Sequence, residues 1–304
     1  MKRRSFIKKI GMGSALLGVG AVPLKAFVRP EFTKLTILHT NDVHSRIDPF
    51  PMDGGKFQGL GGAVNRAAMI DKIRSEEENI LLLDAGDIFQ GTPYFNKFGG
   101  ELDMKLMSKM KYDAATIGNH DFDAGIDGLK KQLIHANFPI LIANYDFSDT
   151  IMHDQSQAYK IFTRGGVKIG VFGLGIELSG LVPDSLFLNT QYHDPIESAK
   201  KTAEILKYQE KCDYIICLSH LGYKYKRSKV SDVVLAKETK YIDLILGGHT
   251  HTFMDKPDEI ENLIGEKVLI NQAGWAGIML GRLDIYFEKN YPGNCTTCDN
   301  IILK

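Results

Sequence analysis

After Pro30, the chain alternates short apolar runs with longer stretches in which apolar and polar residues are mixed. Apolar runs of about four to eight residues, bounded by turn-forming residues, are typical of strands that are buried on both faces. We expect strands at residues 35–38, 80–83, 114–117, 140–143, 167–174, 214–218, 242–246 and 268–271. The pattern therefore predicts a globular protein with a buried sheet.

Two of the mixed stretches are predicted to be helices. Apolar residues stand three or four positions apart along one stretch, at Ile196, Ala199, Ala203 and Leu206. This spacing places them on one face of a helix, and the remaining positions are mostly Lys, Glu and Thr. Residues 62–78 also indicate a helix. Strands that alternate with such helices predict an α/β fold, and we expect one domain over residues 33–289 because no repeat or linker interrupts them.

Polar residues follow five of the predicted strands, at the point where each strand ends. They are Asp42 and His44, then Asp87, then Asn119, His120 and Asp123, then His220, and finally His249 and His251. A single Asp or Asn at such a point is explained by turn formation. Five polar clusters in the same structural position favour a shared site, because loops beyond the carboxyl ends of strands form the ligand crevice in open α/β sheets.

The side chains of these loops are oxygen and imidazole ligands. They offer two Asp carboxylates, one Asn carbonyl and several imidazoles, with no thiolate among them. Such donors suit Zn²⁺, Mn²⁺ or Fe, and they differ from those of a soft-metal site or an all-oxygen Ca²⁺ site. The set is too large for one tetrahedral ion, so we predict two divalent metal ions that share a ligand.

The ordered motifs D-x-H, GD, GNHD, a single His after a strand, and GHxH resemble those of the calcineurin-like metallophosphoesterases. The segments ILHTNDVHS, GNHDFD and GGHTH are similar to the 5′-nucleotidase branch, and the resemblance covers roughly residues 35–287. It implies a single-domain, four-layer α/β/β/α sandwich, with a catalytic domain at 33–289 and a short tail at 290–304. It also implies hydrolysis of phosphomonoesters, nucleotides among them, by hydroxide that metal ions activate.

The resemblance implies a role for each polar residue in these loops. One ion would be held by Asp42, His44 and His251, the other by Asn119, His220 and His249, and Asp87 would bridge the two. His120 would be the catalytic histidine, which stabilises charge on the phosphoryl group or the leaving group. Asp123 would orient its ring and raise its pKa.

The charge balance limits the class of ligand. Lys and Arg total 37, as do Asp and Glu, so the formal net charge is zero. No overall field attracts a nucleic acid polymer or an anionic membrane. We therefore expect no nucleic acid polymer as a partner, and the small phosphate ester that the resemblance implies would be held by a local site.

Residues 1–30 are predicted to be an export signal. A basic start that includes Arg3 and Arg4 precedes a weakly apolar stretch at 10–22, which is too short for a comfortable membrane span. The segment RRSFIKK resembles the twin-arginine signal, and the alternative is an ordinary secretion signal or an uncleaved anchor. We expect an exported protein of the periplasm or cell envelope.

Three further possibilities concern how this function is carried out and whether the chain is an enzyme. Relatives in the 5′-nucleotidase branch have a C-terminal domain that grips the phosphate and stacks on the base, and this sequence ends at Lys304 without one. We therefore expect that the chain is a catalytic subunit and that a separate protein supplies the specificity domain. The second possibility is a sulfur-oxidation-type metal hydrolase of the same branch. The third is a non-enzymatic, metal-stabilised binding module.

Overall fold

The computed structural model describes residues 32–227, 229–288, 291–298 and 300–304, so the export signal predicted at 1–30 lies outside the described residues. The strands are β1 (Phe32–Thr40), β2 (Ile80–Asp84), β3 (Ala114–Ala115), β4 (Tyr145–Asp146), β5 (Tyr159–Arg164), β6 (Val167–Leu174), β7 (Gln191–Tyr192), β8 (Tyr214–Ser219), β9 (Leu244–Gly247), β10 (Asp258–Glu261), β11 (Lys267–Asn271), β12 (Met279–Glu288), β13 (Tyr291–Cys298) and β14 (Ile301–Ile302). The α-helices are α1 (Ala63–Glu76), α2 (Pro93–Phe98), α3 (Glu101–Lys109), α4 (Gly125–Leu133), α5 (Asp184–Phe187), α6 (Pro195–Glu204) and α7 (Asp232–Glu238). A 3₁₀ turn spans His120–Phe122, and a π-helical turn, Ile205–Gln209, continues α6.

Two six-stranded sheets contain most of these strands. The first has the order β13-β12-β1-β2-β3, with β14 paired to β12, and the second has the order β10-β11-β9-β8-β6-β5. Strands β1, β2 and β3 are parallel, as are β6, β8, β9 and β11. In each sheet, the loops that leave the carboxyl ends of these strands therefore start from the same edge.

Alternate residues of the central strands pack on opposite faces of each sheet. Leu81 and Leu83 of β2 share a buried cluster with Ile216 of β8, so they lie between the two sheets. Leu82 belongs instead to the cluster that includes α1 and α3, and Ile215 belongs to the cluster that includes α6 and α7. Because successive side chains of a strand point to opposite faces, burial on both faces explains the continuous apolar runs. The predicted α/β/β/α sandwich is confirmed.

Seven of the eight predicted strands overlap observed strands, and the two predicted helices correspond to α1 and α6. The strand predicted at 140–143 is wrong, because this segment forms only isolated bridges, to Ala115 and Gln157. Its backbone bonds to both sheets, since the N–H of Leu141 donates to Ala115 and the N–H of Ala143 donates to Gly173 of β6. A segment that crosses between two sheets cannot continue a ladder in either.

The carboxyl-terminal part of the described chain belongs to the first sheet. β12 runs antiparallel to β1 over eight residue pairs, from Phe32–Glu288 to His39–Gly281. β13 and β14, which fall within residues 290–304, both pair with β12. In the part of the chain that the structure describes, no helix is both long and apolar enough to cross a membrane.

Candidate dinuclear metal centre

The five loops predicted to form a site meet at one edge of the two sheets. They follow β1, β2 and β3 in the first sheet and β8 and β9 in the second. Their side chains form two groups, and within each group the candidate ligand atoms lie within 4.8 Å of one another. The groups are Asp42, His44 and His251, and Asp87, His220 and His249.

The first group converges through two imidazole rings and a carboxylate. Nε2 of His44 lies 3.1 Å from Nε2 of His251, and the latter atom lies 3.4 Å from Oδ1 of Asp42. Asp42 is fully buried, and its carboxylate also accepts hydrogen bonds from the backbone N–H of His249 at 3.0 Å. Nitrogen and oxygen atoms this close, all able to offer lone pairs, are suited to hold one cation.

The second group includes an amide oxygen. Nε2 of His220 lies 3.1 Å from Oδ2 of Asp87. Nδ1 of His249 lies 2.9 Å from Oδ1 of Asn119, which places the predicted amide ligand beside this group. Five of the seven predicted ligands are buried, and His249 and His251 are more exposed.

The two groups are adjacent, with carboxylates between them. Oδ2 of Asp87 lies 3.9 Å from Nε2 of His44, which belongs to the other group. Oδ1 of Asp42 lies 4.0 Å from Nε2 of His220. Each carboxylate therefore approaches a histidine of each group, as a bridging ligand requires.

Hydrogen bonds set the tautomers of two histidines. Nδ1 of His220 lies 2.7 Å from the carbonyl oxygen of Ala85, and Nδ1 of His44 lies 3.1 Å from that of Phe89. A carbonyl oxygen only accepts, so Nδ1 carries a proton in both rings and Nε2 faces the ligand group. Among the described residues, the buried Nε2 of His220 has Oδ2 of Asp87 3.1 Å away but forms no well-aligned hydrogen bond. These residues fit a divalent cation.

Within the second group, neighbouring charges shift the pKa values of His220 and Asp87 in the direction opposite to the effect of burial. Burial lowers the pKa of His220, but the charge of Asp87 raises it above the ordinary value. Burial raises the pKa of Asp87, but His220 and neighbouring histidines hold it below the ordinary value. The site thus favours positive charge beside Asp87, which a divalent cation held by His220 and Asp87 would supply. Burial and the charge of His220 lower the pKa of His249 to about 4, so that ring is neutral and can ligate.

Five of the candidate ligands have a left-handed backbone conformation. The φ angle is 49° at Asp42, 51° at His44, 55° at Asp87, 68° at His249 and 51° at His251. Such conformations cost about 1–3 kcal/mol each in residues other than glycine, and they persist only where surrounding structure holds them. Because five such residues occur in only three loops, these loops are better explained as parts of a binding site than as ordinary turns.

Asp121, whose place beside the predicted site residues in the sequence suggested only loop hydrogen bonds, connects two of these loops. Its carboxylate accepts hydrogen bonds from the backbone N–H groups of Asp87, Ile88, Phe89 and Gly118, at 2.8–3.1 Å. Burial and the charge of Asp87 raise the pKa of Asp121 to about 7. The only sequence signal was its place directly after His120.

Asn41 and Gln272 also support the site, and neither was predicted from the sequence. Nδ2 of Asn41 donates to Oδ2 of Asp42 at 2.7 Å. Gln272 donates to the carbonyl oxygen of Gly248 at 2.9 Å and accepts from the N–H of Thr252 at 3.1 Å, so it spans the GGHTH loop. No local pattern could reveal these roles, because Gln272 acts across separate elements of the chain.

His120 and Asp123 stand beside the two ligand groups. Nδ1 of His120 lies 2.9 Å from Oδ2 of Asp123, and the His120 ring centroid lies 5.3 Å from that of His44. Burial lowers the pKa of His120, but the charges of Asp87 and Asp123 outweigh it, so the pKa is raised. The backbone N–H of His120 donates to Oδ1 of Asp87 at 2.8 Å. The predicted catalytic pair is therefore next to the predicted metal centre.

A cavity of about 200 Å³ adjoins the centre. Three of its lining residues belong to the site already described, and the others come from the loops after β1 and β2 and from the segment before β12. The lining includes His44, His120, His251, Arg46, Gln90 and Trp275.

A family model described as calcineurin-like phosphoesterase matches residues 35–253. The chain is 35% identical over 276 residues to a snake venom 5′-nucleotidase of Crotalus adamanteus, with 84% of this chain and 45% of the relative covered. It is 34% identical over 287 residues to the trifunctional nucleotide phosphoesterase protein YfkN of Bacillus subtilis, with 84% of this chain and 18% of the relative covered. The chain thus spans half or less of the length of these relatives.

Solved structures show the same similarity. A 5′-nucleotidase precursor of Thermus thermophilus is 30% identical and superposes with a TM-score of 0.79, over 89% of this chain and 55% of the other. The sulfate thiohydrolase SoxB of Thermus thermophilus has a TM-score of 0.74 at 19% identity, over 88% of this chain and 56% of the other. The second likeness shows the fold alone, so the sulfur-oxidation alternative has weaker support.

Proposed function

Because the chain belongs to the calcineurin-like phosphoesterase family, we propose that it is a metal-dependent phosphoric ester hydrolase of 5′-nucleotidase type. The observation that carries this proposal is the pair of adjacent ligand groups beside the His120–Asp123 pair. Metal ions next to a general acid that is held in a fixed position can together hydrolyse a phosphate ester. The intact acid pair also disfavours a purely structural metal module.

Seven residues would hold two divalent ions. One ion would take Asp42, His44 and His251, the second Asn119, His220 and His249, and Asp87 would be shared. Imidazole, carboxylate and amide donors suit Zn²⁺, Mn²⁺ or Fe. When bound, two such ions supply Lewis acidity and a nucleophile derived from water at neutral pH.

His120 would act as the acid of the reaction. Because Nδ1 donates to Asp123, the ring is fixed in orientation, and Nε2 is the remaining proton donor. Its raised pKa keeps the ring protonated closer to neutral pH. Since His120 also lines the cavity, its proton can stabilise negative charge on the phosphoryl group or pass to the departing oxygen.

The substrate would be a small phosphomonoester, with nucleotides favoured by the similarity to a 5′-nucleotidase. Within the described residues the centre is open on one side, since 39% of the His120 side chain and 41% of the His251 side chain are exposed. Exclusion of water strengthens electrostatic stabilisation of the transition state. We therefore include in the proposal a covering domain, in the same or a separate polypeptide, that closes over the bound nucleotide.

The purified chain, loaded with Mn²⁺ and with its metal content measured, tests the activity. We expect hydrolysis of p-nitrophenyl phosphate that disappears on chelation and returns with metal. AMP should be cleaved less efficiently than by enzymes with a closed site, because little binding energy from the remote base is available. A metal-loaded chain that cleaves neither p-nitrophenyl phosphate nor AMP would refute the proposed function.

Export is a separate part of the proposal, and it rests on the sequence of residues 1–30. In a bacterial host, replacing Arg3 and Arg4 together by lysine should hold the protein in the cytoplasm if the twin-arginine route is used. Unchanged export would favour an ordinary secretion signal.

A further inference from the structure

Arg46 lines the cavity beside the candidate metal centre, together with His44, His120 and His251. It lies in the loop that follows β1 and provides Asp42 and His44. Arg46 thus lines the same cavity as residues that would bind and protonate a phosphoryl group. A fixed positive charge at such a place can affect how a substrate binds.

Aromatic packing holds the Arg46 side chain. The guanidinium carbon lies 4.2 Å from the centroid of the Phe50 ring, a cation–π distance. Phe50 packs edge-on against Trp275, with ring centroids 5.8 Å apart, and Trp275 stacks on His251 at 5.7 Å with an interplanar angle of 10°. The rings therefore connect the arginine to a candidate metal ligand, and the side chain is positioned before any substrate binds.

Arg46 has no counter-ion among the described residues. Arg164 pairs with Asp113 at 2.7 Å, and Arg282 pairs with Asp284 at 3.1 Å, but no carboxylate lies within ion-pair distance of Arg46. Its Nε is buried and has no hydrogen-bond partner in the described part of the chain. Among the described residues the positive charge of Arg46 is therefore not balanced by a carboxylate, and an anion in the cavity that Arg46 lines would balance it.

We propose that Arg46 forms, with the adjoining cavity, an anion-binding subsite that contacts a phosphate oxygen of the substrate. This inference rests on the proposed function, and it adds a phosphate-binding arginine from this domain itself. A guanidinium presents several N–H donors in a planar fork that matches phosphate oxygens. Gln90, which lines the same cavity, has a side-chain amide that can donate hydrogen bonds to the same anion.

The subsite should act in binding more than in the chemical step. A phosphate oxygen is anionic in the bound substrate as well as in the transition state, so Arg46 stabilises both. Loss of such uniform binding raises KM and leaves kcat nearly unchanged. Inorganic phosphate, which has the same oxygens, should also bind less tightly without Arg46.

The test uses the full chain loaded with Mn²⁺, and inorganic phosphate is the probe. Arg46→Gln should weaken phosphate binding, measured by calorimetry, by roughly 10- to 100-fold, as expected for a charged hydrogen bond. KM for p-nitrophenyl phosphate should rise by a similar factor, and kcat should stay within about threefold. Arg46→Lys keeps the charge and should restore part of the affinity.

Lys56→Gln is the matched control. Lys56 is also a cation over an aromatic ring of the same cluster, 5.1 Å from the Phe57 centroid, and it does not line the cavity. This variant should bind phosphate as the wild type does. Metal content is measured for every variant, so that damage to His44 is detected separately.

The outcomes separate this inference from the proposed function. If Arg46→Gln retains two metal equivalents and binds phosphate with wild-type affinity, the subsite is refuted while the activity stands. If it loses metal, Arg46 is a support of the metal centre and the subsite is again refuted. If the wild type binds phosphate through Arg46 but hydrolyses no ester, the inference stands and the proposed function fails.

Discussion

Gly118 lies where a side chain would collide with two candidate metal ligands. A Cβ atom on this residue would stand 2.2 Å from Oδ1 of Asp87 and 2.7 Å from Cε1 of His220. Gly118 is not among the residues with positive φ, so alanine can adopt its backbone conformation. We predict that Gly118→Ala weakens metal binding through this collision alone.

The size of the effect follows from the distances. Ordinary contact begins near 3.4 Å, so a Cβ atom at 2.2 Å would require the carboxylate of Asp87 to withdraw by about 1 Å. Metal–ligand distances tolerate only about ±0.2 Å, so the displaced oxygen could not keep its place. We expect metal affinity to fall by at least the roughly 10- to 100-fold seen when the support of a ligand is removed. The overpacking should also cost about 1–3 kcal/mol of stability.

Calorimetric titration of the chelated protein with Mn²⁺ measures this loss, and hydrolysis of p-nitrophenyl phosphate gives a second readout. Gly180→Ala is the control, because φ is +79° at Gly180 and no atom lies within 4 Å of the place that a Cβ atom would take. It should lose about 1–2 kcal/mol of stability, the cost of a left-handed conformation for a residue with a Cβ atom, and no metal affinity. Binding of two Mn²⁺ equivalents by Gly118→Ala as tightly as by the wild type would refute this prediction.

Three further predictions concern single residues. Asp87→Asn should reduce metal content from two equivalents towards one or none, and elemental analysis that returns two would remove Asp87 as the shared ligand. His120→Ala should lower kcat by roughly 10²- to 10⁴-fold with metal content unchanged, and loss of metal would show that His120 is a ligand. Burial raises the pKa of Asp103 to about 7, so its contribution to stability is present at low pH and is lost as the pH rises from about 4 to about 7. Denaturation of the chelated protein at pH 5 and pH 8 should then show a smaller loss of stability in Asp103→Asn than in the wild type, and an equal loss would contradict the assignment.

Strands could be predicted from the sequence where every residue is apolar and both faces of the strand are buried. Leu81, Leu82 and Leu83 form a continuous apolar run because the two faces of β2 meet two different cores. A run of this kind indicates a central strand without further information. The same rule failed at 140–143, which is also apolar, because Leu141 and Ala143 bond to different sheets.

Strand β12 was missed because its polar residues are buried by partners far away in the sequence. Arg282 bonds to Glu77 at 2.6 Å and to Asp284 at 3.1 Å, and Asp284 pairs with Lys34 at 3.0 Å. With those partners, charged residues fit on a central strand. The sequence shows only their charge, so no local pattern identifies the segment as an inner neighbour of β1.

The candidate ligands were predictable because each occurs in a short motif at the end of a strand. The residues that hold the ligands in place were not predictable, because their role depends on which groups they contact in the folded chain. Asp121 binds backbone groups more than thirty residues earlier in the chain, and Asn41 accepts from the N–H of Ala273 across 232 residues. An Asp or an Asn at these positions is common in loops of any kind. Their roles follow only from the packing of the two sheets.

These supports explain how five strained residues can persist in one site. Left-handed backbone at Asp42, His249 and the other ligands is unfavourable, and hydrogen bonds to charged groups, worth about 1.5–3 kcal/mol each, offset it. The carboxylate of Asp121 accepts four such bonds, and that of Asp42 accepts bonds from the N–H of His249. Protein groups therefore set the positions of the candidate ligand atoms, so that divalent ions, if held there, would bind side chains that are already in place. For this reason, a single added methyl group at Gly118 is expected to damage metal binding although it touches no solvent and removes no ligand.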